Sequence, residues 1–305
     1  MLRYTATRMI RAVLTIWLAV TAVFVGLRLS GDPAQALLGP EASSEAVHAL
    51  RQAWGLDDPI ALQYARYLWQ IAHGDFGRSL RERRPATKVV HERLPATLQL
   101  GLTALGVATV LGITLGTLAA FHAGRLTDRI IVALAALGQG TPNFVLGLLL
   151  ILVFAYYLRI VPTGGREQPT SLILPAVTLA SFSTASLTRY TRSAVLEVLR
   201  ADYVRTAYAK GLPFFRVLLD HIARNSALTL ITVLGLQLAV AIAGAVITET
   251  IFAWPGIGRL LADAAELRDF PVVQYGVFLI VVSVVSVNLL TDLAYGLLDP
   301  RIREG

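Results

Sequence analysis

The chain has 305 residues, 55% of them hydrophobic and 15% charged, with 27 Lys and Arg against 20 Asp and Glu and no cysteine. This composition, with a mean hydropathy of +0.62, excludes a water-soluble domain, and the missing cysteine excludes disulfides, thiolate metal sites and a cysteine nucleophile. The net charge of +7 does not signal nucleic acid, because the arginines gather at the ends of apolar segments without interleaved aromatics to stack bases.

Arg3, Arg8 and Arg11 precede an apolar run from Ala12 to Leu27, which reads as a signal peptide or a signal anchor; no small-residue cleavage site follows closely. The polar stretch that follows contains Gly31-Asp32-Pro33, Gly55-Leu56-Asp57-Asp58-Pro59 and Gly74-Asp75-Phe76-Gly77. Asp58-Pro59 predicts a turn, and Pro59 to Ile71 a short amphipathic helix carrying Leu62, Tyr64, Tyr67, Leu68 and Trp69. That helix is either a structural cap on one face of the membrane or a docking surface or gate.

Five further spans are expected, at about Pro95 to Phe121, Ile130 to Leu158, Leu172 to Thr188, Ala227 to Ile247 and Val272 to Leu290, each near or above the ~18 apolar residues a span requires. With the first, this makes an all-α polytopic membrane protein of about six transmembrane helices. Outside the first external loop, Lys and Arg are concentrated in the loops that six spans place inside with both termini, as the positive-inside rule requires. Arg78, Arg81, Arg83, Arg84, Lys88 and Arg93 run against that rule, since they sit just before the second span on the expected outer side.

Within the spans little chemistry is visible. Gly138-Gln139-Gly140-Thr141-Pro142-Asn143 predicts a kink in the third span, because proline removes a backbone hydrogen bond and glycine adds freedom. Ser181, Ser183, Thr184, Ser186 and Thr188 in the fourth span, Gln237 in the fifth and Asn288 in the sixth either satisfy the backbone and pack helices or line a path. Arg189, Glu249 and Asp292 lie near span ends, so the mid-membrane charges that couple ions in a secondary carrier are lacking. Neither Lys88 nor Lys210 follows a phosphate-binding loop, no Gly-x-Ser-x-Gly elbow or His-Glu-x-x-His helix occurs, and the five histidines are scattered singly. Any energy for transport must come from elsewhere.

A polar island from Leu196 to Asn225 separates the fourth and fifth spans. Leu196, Leu199, Tyr203 and Ala207 predict the apolar face of a first helix, with Glu197, Ala201 and Arg205 opposite. Gly211 closes it and Pro213 opens a second helix, on which Arg216, Asp220 and Arg224 form a solvent-facing row while Val217, Leu218, His221 and Ile222 turn elsewhere. Further on, Glu249 to Leu261 (ETIFAWPGIGRLL) reads as an interfacial aromatic, Trp254, followed by a turn and a short helix through Ala265. Arg268-Asp269-Phe270-Pro271 leads into the last span, and Asp299-Pro300-Arg301-Ile302-Arg303 ends the chain.

The wording DYVRTAYAKGL, HIARN, TVLGLQL and ITETIFAWPGIGRLL resembles the permease subunits of bacterial ABC importers of the dipeptide, oligopeptide, glutathione and nickel group. Ala207 and Gly211 fit that family's EAA loop, while Arg205 stands where Glu is general, Tyr208 where the peptide branch has Arg, and Thr229 in place of a proline. The resemblance implies a type I ABC importer permease fold in the bacterial inner membrane, with an uncleaved first helix and both termini cytoplasmic. It implies an N-terminal transmembrane helix over 1–30, an extracytoplasmic insertion over 31–94, and a core permease domain over 95–305 whose coupling loop spans 190–226. In that loop Tyr203, Arg205, Thr206, Ala207, Lys210, Gly211 and Leu212 are expected to meet a separate ATPase, and Ser183, Gln237, Glu249, Trp254 and Asn288 to border a translocation path or gate. The implied partners are a second permease, two ATPases that hold ATP and Mg, and an extracytoplasmic binding protein; this chain itself is expected to carry no cofactor, metal or catalytic residue. Short peptides are the first expectation for substrate, and glutathione or a nickel complex the next.

Overall fold

Apolar segments joined by glycine- and proline-bearing breaks give a chain of helices. The computed structural model describes residues 2–29, 33–38, 42–53 and 55–298; Gly31-Asp32 and the terminal Asp299 to Arg303 lie outside them. In chain order the helices are α1 (Leu2–Leu29), α2 (Pro33–Leu38), α3 (Ser44–Ala53), α4 (Ile60–Ala72), α5 (Ala86–His91), α6 (Leu94–Phe121), α7 (Leu126–Gly140) and α8 (Asn143–Leu150). Then come α9 (Ile173–Leu199), α10 (Asp202–Ala209), α11 (Phe214–Arg216), α12 (Arg224–Ile251), α13 (Ile257–Glu266) and α14 (Phe270–Leu298). A π-helical stretch, Ile151–Tyr157, prolongs α8, and another, Val217–Ala223, fuses α11 to α12. Four helices among the described residues are long and apolar enough to cross a membrane, and two bent pairs raise the number to six.

The expected spans are present with moved boundaries. The third is broken rather than kinked: α7 and α8 meet at 102°, because Thr141 and Pro142 are both extended, with ψ of 121° and 134°. Proline there cannot supply the missing helical hydrogen bond. The fourth span continues to Leu199, so Leu196 and Leu199 end a long helix instead of opening a loop helix.

α6 and α9 form the most extensive helix pair. Along α6, Ala96, Leu100, Ala104, Ala108, Gly112, Gly116 and Ala120 recur every fourth residue and are all buried, a ridge of small side chains that admits a second backbone closely. A Cβ placed on Gly112 would stand 2.5 Å from that of Leu187, and one on Gly116 2.5 Å from the Thr188 carbonyl oxygen. Ser183 on α9 donates to Gln237 Oε1 on α12 at 2.8 Å, adding a polar tie between apolar surfaces.

One membrane face carries α4 and α13. There α4 lies against the end of α1, with Phe24 ring-to-ring with Tyr64 and Tyr67 at 5.2 and 5.3 Å and the Tyr64 hydroxyl 2.6 Å from Thr21 Oγ1. Burial pushes the Tyr67 phenol up to about 12. Leu62 and Trp69 are exposed, so the expected amphipathic helix buries only part of its apolar residues. The arginine-rich stretch before α6 meets acid from the protein itself. Arg84 pairs with Glu82 and with Glu92, at 2.9 Å to Glu92 Oε1, and these bonds, Glu92 first, hold the guanidinium charged beyond its usual range. Asp269 accepts from the Ser79 hydroxyl and from Leu80 N–H, fastening this stretch to the start of α14.

Candidate functional site

On the opposite face, α9 stops at Leu199 and Ala201 turns extended (ψ 142°), which sets off α10. Its other end is a Schellman motif. Gly211 takes φ +79°, its N–H donates to Tyr208 O at 2.9 Å, and Leu212 N–H reaches back to Ala207 O at 3.3 Å. Pro213 is extended and launches the helical run through α11 into α12, with Arg216 and Val217 N–H both donating to its carbonyl. Two helices are thereby held at a fixed angle by one left-handed residue.

What fixes this corner to the spans is a small apolar cluster in which Val204 and Ala207 of α10 pack with Val195, Val198, Val217, Ile222 and Ala120. The buried row therefore runs through Val204 and Ala207. Tyr203, expected on the apolar face, is exposed, because the break at Arg200 and Ala201 rotates α10 relative to the end of α9. Tyr203, Arg205, Thr206, Lys210 and Gly211 are all exposed, and Leu212 is half-buried against the cluster. Arg205 approaches Asp202 only to 3.9 Å with both side chains in solvent. The structure adds three residues that the sequence reading did not single out: Phe214, Phe215 and Leu219 stand exposed beside α10. An apolar pair directly after Pro213 in a polar loop was the signal available for them, since an exposed aromatic patch on such a loop marks an interaction surface.

Close by, Arg192 donates two hydrogen bonds to Asp128, 2.6 and 2.8 Å, and Asp128 also accepts from Gly124 N–H at 2.8 Å. This bidentate pair ties the start of α7 to the lower part of α9. Arg192 is thus the partner of a nearly buried carboxylate.

The path candidates divide into groups. Ser183 and Gln237 bond to each other in the bundle. Asn288 lies half-buried on α14. Glu249 and Trp254 come together with Thr97 near the start of α13. Glu249 is 0% exposed, accepts from Thr97 Oγ1 at 2.7 Å and from Arg259 N–H at 3.1 Å, and Thr97 in turn accepts from Ile257 N–H at 2.8 Å. The carboxylate thus supplies from a distance the cap that the first turn of α13 lacks, with the helix dipole in its favour. Gly256 and Gly258 are required because a Cβ on either would fall 2.2 and 2.9 Å from the Glu249 carboxylate. Trp254 is buried, not interfacial, and its indole N–H donates to Ala96 O at 2.9 Å. The loop after α8 lies over this turn, where Gly165 N–H donates to Phe252 O at 2.9 Å and the Arg166 guanidinium stands 5.8 Å from the Trp254 ring centroid.

A bundle of apolar helices, one of them broken, with an exposed helix corner on one face and a locked turn on the other, defines a polytopic membrane protein. Residues 112–304 match the family described as binding-protein-dependent transport system inner membrane component, and residues 1–101 match its N-terminal counterpart. The chain belongs to this family and is the permease of an ATP-driven importer. It is 40% identical to the dipeptide transport system permease protein DppB of Escherichia coli, over 93% of each chain. It is 37% identical to the glutathione transport system permease protein GsiC of Salmonella paratyphi A, over 99% of each. The fold is similar to that of the MetNI methionine ABC transporter in inward-facing conformations, with a TM-score of 0.57 at 15% identity, covering 70% of this chain and 97% of the other.

Proposed function

We propose that this permease carries short peptides, dipeptides first, and that the corner around Gly211 is where ATPase motion enters it. The observation that carries the second part is the exposed set Tyr203, Arg205, Lys210, Phe214 and Phe215, held rigid by the Schellman turn and by the Val204–Ala207 face on the cluster beneath. A basic and aromatic surface on a stiff lever suits docking in a groove of another subunit, and each closure of two ATPases would then tilt α9 against α12 and expose the path to alternate sides. In this reading both termini and the α10 corner are cytoplasmic, and the α4 and α13 face meets the binding protein. ATP and Mg reside on the ATPases, a second permease completes the path, and this chain contributes movement without catalysis. The similarity to the dipeptide permease supports the peptide assignment. The nearly equal similarity to the glutathione permease, over a larger share of both chains, supports glutathione as the second reading.

Uptake by the assembled importer, reconstituted with its binding protein and given labelled dialanine or labelled glutathione, separates the two. Dialanine accumulation that excess unlabelled glutathione leaves intact is the expected result. Accumulation of glutathione alone would replace the peptide assignment.

A further inference from the structure

A cavity of about 1390 Å³ lies between α4, the end of α1 and the start of α14, and the function above leaves it unused. It sits where α1 ends and α14 begins, so it stands level with one surface of the bilayer. Four guanidinium groups line it: Arg28, Arg66, Arg78 and Arg83. Arg66 is taken by Asp58 at 2.9 Å, and Arg28 lies 5.2 Å from the Phe24 ring centroid. Arg78 and Arg83 have no acidic partner among the described residues, although both are in the wall. Asp58 is occupied by Arg66, and Asp75 by Gly77 N–H at 3.0 Å. The remaining wall is aromatic and apolar, with Phe24, Tyr67, Phe76 and Pro271. Two guanidinium groups without an acidic partner among the described residues, above an apolar floor, suit an amphiphile whose charge is negative and whose body is hydrocarbon.

Tyr67 and Gln274 line both the cavity and the apolar seam between α1 and α14, which Val20, Val23, Val277, Phe278 and Val281 pack closed. We propose that the cavity binds the phosphodiester headgroup of an anionic phospholipid, with Arg78 and Arg83 on the phosphate and the acyl chains left in the surrounding bilayer. Arginine forks match phosphate oxygens two at a time, and basic pockets between transmembrane helices select such headgroups.

The test is native mass spectrometry of the full chain released from detergent, after exchange into mixtures of phosphatidylglycerol and phosphatidylcholine. The wild-type chain should retain phosphatidylglycerol preferentially. The doubly substituted chain, Arg78→Ala with Arg83→Ala, should lose that preference by about tenfold or more, the scale of one lost charge-assisted contact. Both side chains are exposed, so its melting temperature should match wild type; Arg78→Gln alone, tested in parallel, should lose an intermediate share. Glycerophosphoglycerol and inorganic phosphate, added as soluble competitors, should displace the lipid only at far higher concentration. Equal retention of both lipids, undiminished retention by the substituted chains, or displacement by inorganic phosphate at concentrations comparable to the lipid would each overturn the proposal, the last by making this a soluble-anion site.

Discussion

Gly211 is under no crowding, since a Cβ built on it meets nothing within 4 Å, so its requirement is conformational alone. A left-handed φ costs a β-branched residue about 1–2 kcal/mol, while Asn tolerates it. Gly211→Val should therefore reach the membrane in normal amount but lose co-purification with the ATPases, and Gly211→Asn should keep most of it. Equal assembly of both variants would remove the turn from the coupling mechanism. Glu249 is the contrasting case, needed for what it accepts. Glu249→Ala strands the Thr97 hydroxyl and the N–H groups at the start of α13 in a buried place, at about 1–3 kcal/mol for each unsatisfied group, so thermal unfolding in detergent should shift clearly downward. Glu249→Gln, which keeps one acceptor oxygen, should fall between, and an unchanged melting temperature for Glu249→Ala would contradict the capping role. The sequence made Gly211 legible because its partners are three to five residues away. It could not do so for Glu249, whose partner Thr97 is 152 positions distant.

Among the elements, α6 and α9 show what the apolar pattern conceals. Most residues of α6 look fit for lipid, and the four-residue repeat of Ala and Gly marks the side that meets α9. Gly116→Ala should push the two backbones apart, since its Cβ would meet Thr188 O and the Thr191 Cβ at 2.5 and 2.6 Å. Gly106→Ala, on an open side of the same helix with nothing within 4 Å, should be neutral or stabilising by up to about 1 kcal/mol through helix propensity. Comparing melting temperatures of the two in detergent checks this, and similar values would mean that the helices are not packed through that ridge. The same scale explains the third span. Gly140-Thr141-Pro142 announces a break in the sequence, but its size depends on what holds each half. α7 is held by Gln139, whose amide donates to Ser186 Oγ at 3.0 Å, and α8 by Gly147, against which Phe252 packs.

At the scale of the whole molecule, the helical class and the places of the apolar spans were readable because hydrocarbon demands long apolar helices. The pairing of charges was not. The basic stretch from Arg78 to Arg93 opposes the charge rule when residues are counted singly, but in the fold Arg84 pairs with Glu82 and Glu92, and Asp269 takes the Ser79 hydroxyl and the Leu80 N–H. Because the chain has no natural cysteine, one added thiol reports one position. Ala72→Cys and Ala209→Cys are both exposed sites, at the ends of α4 and α10. An impermeant maleimide should label the first in intact spheroplasts and the second only after permeabilisation. The reverse pattern would invert the topology, and labelling of both from one side would break the six-span arrangement.

The fastenings of the α4 and α13 face also carry a history. Ser79 meets Asp269 across 190 positions, Trp254 meets Ala96 across 158 and Thr97 meets Glu249 across 152. During synthesis the early partners emerge from the ribosome long before the late ones exist. The first third of the chain must wait with these polar groups facing water or insertion machinery. The last quarter therefore acts as a latch, and a chain interrupted within α12, before Glu249, leaves the membrane with inserted helices but with the α4 and α13 face unfastened.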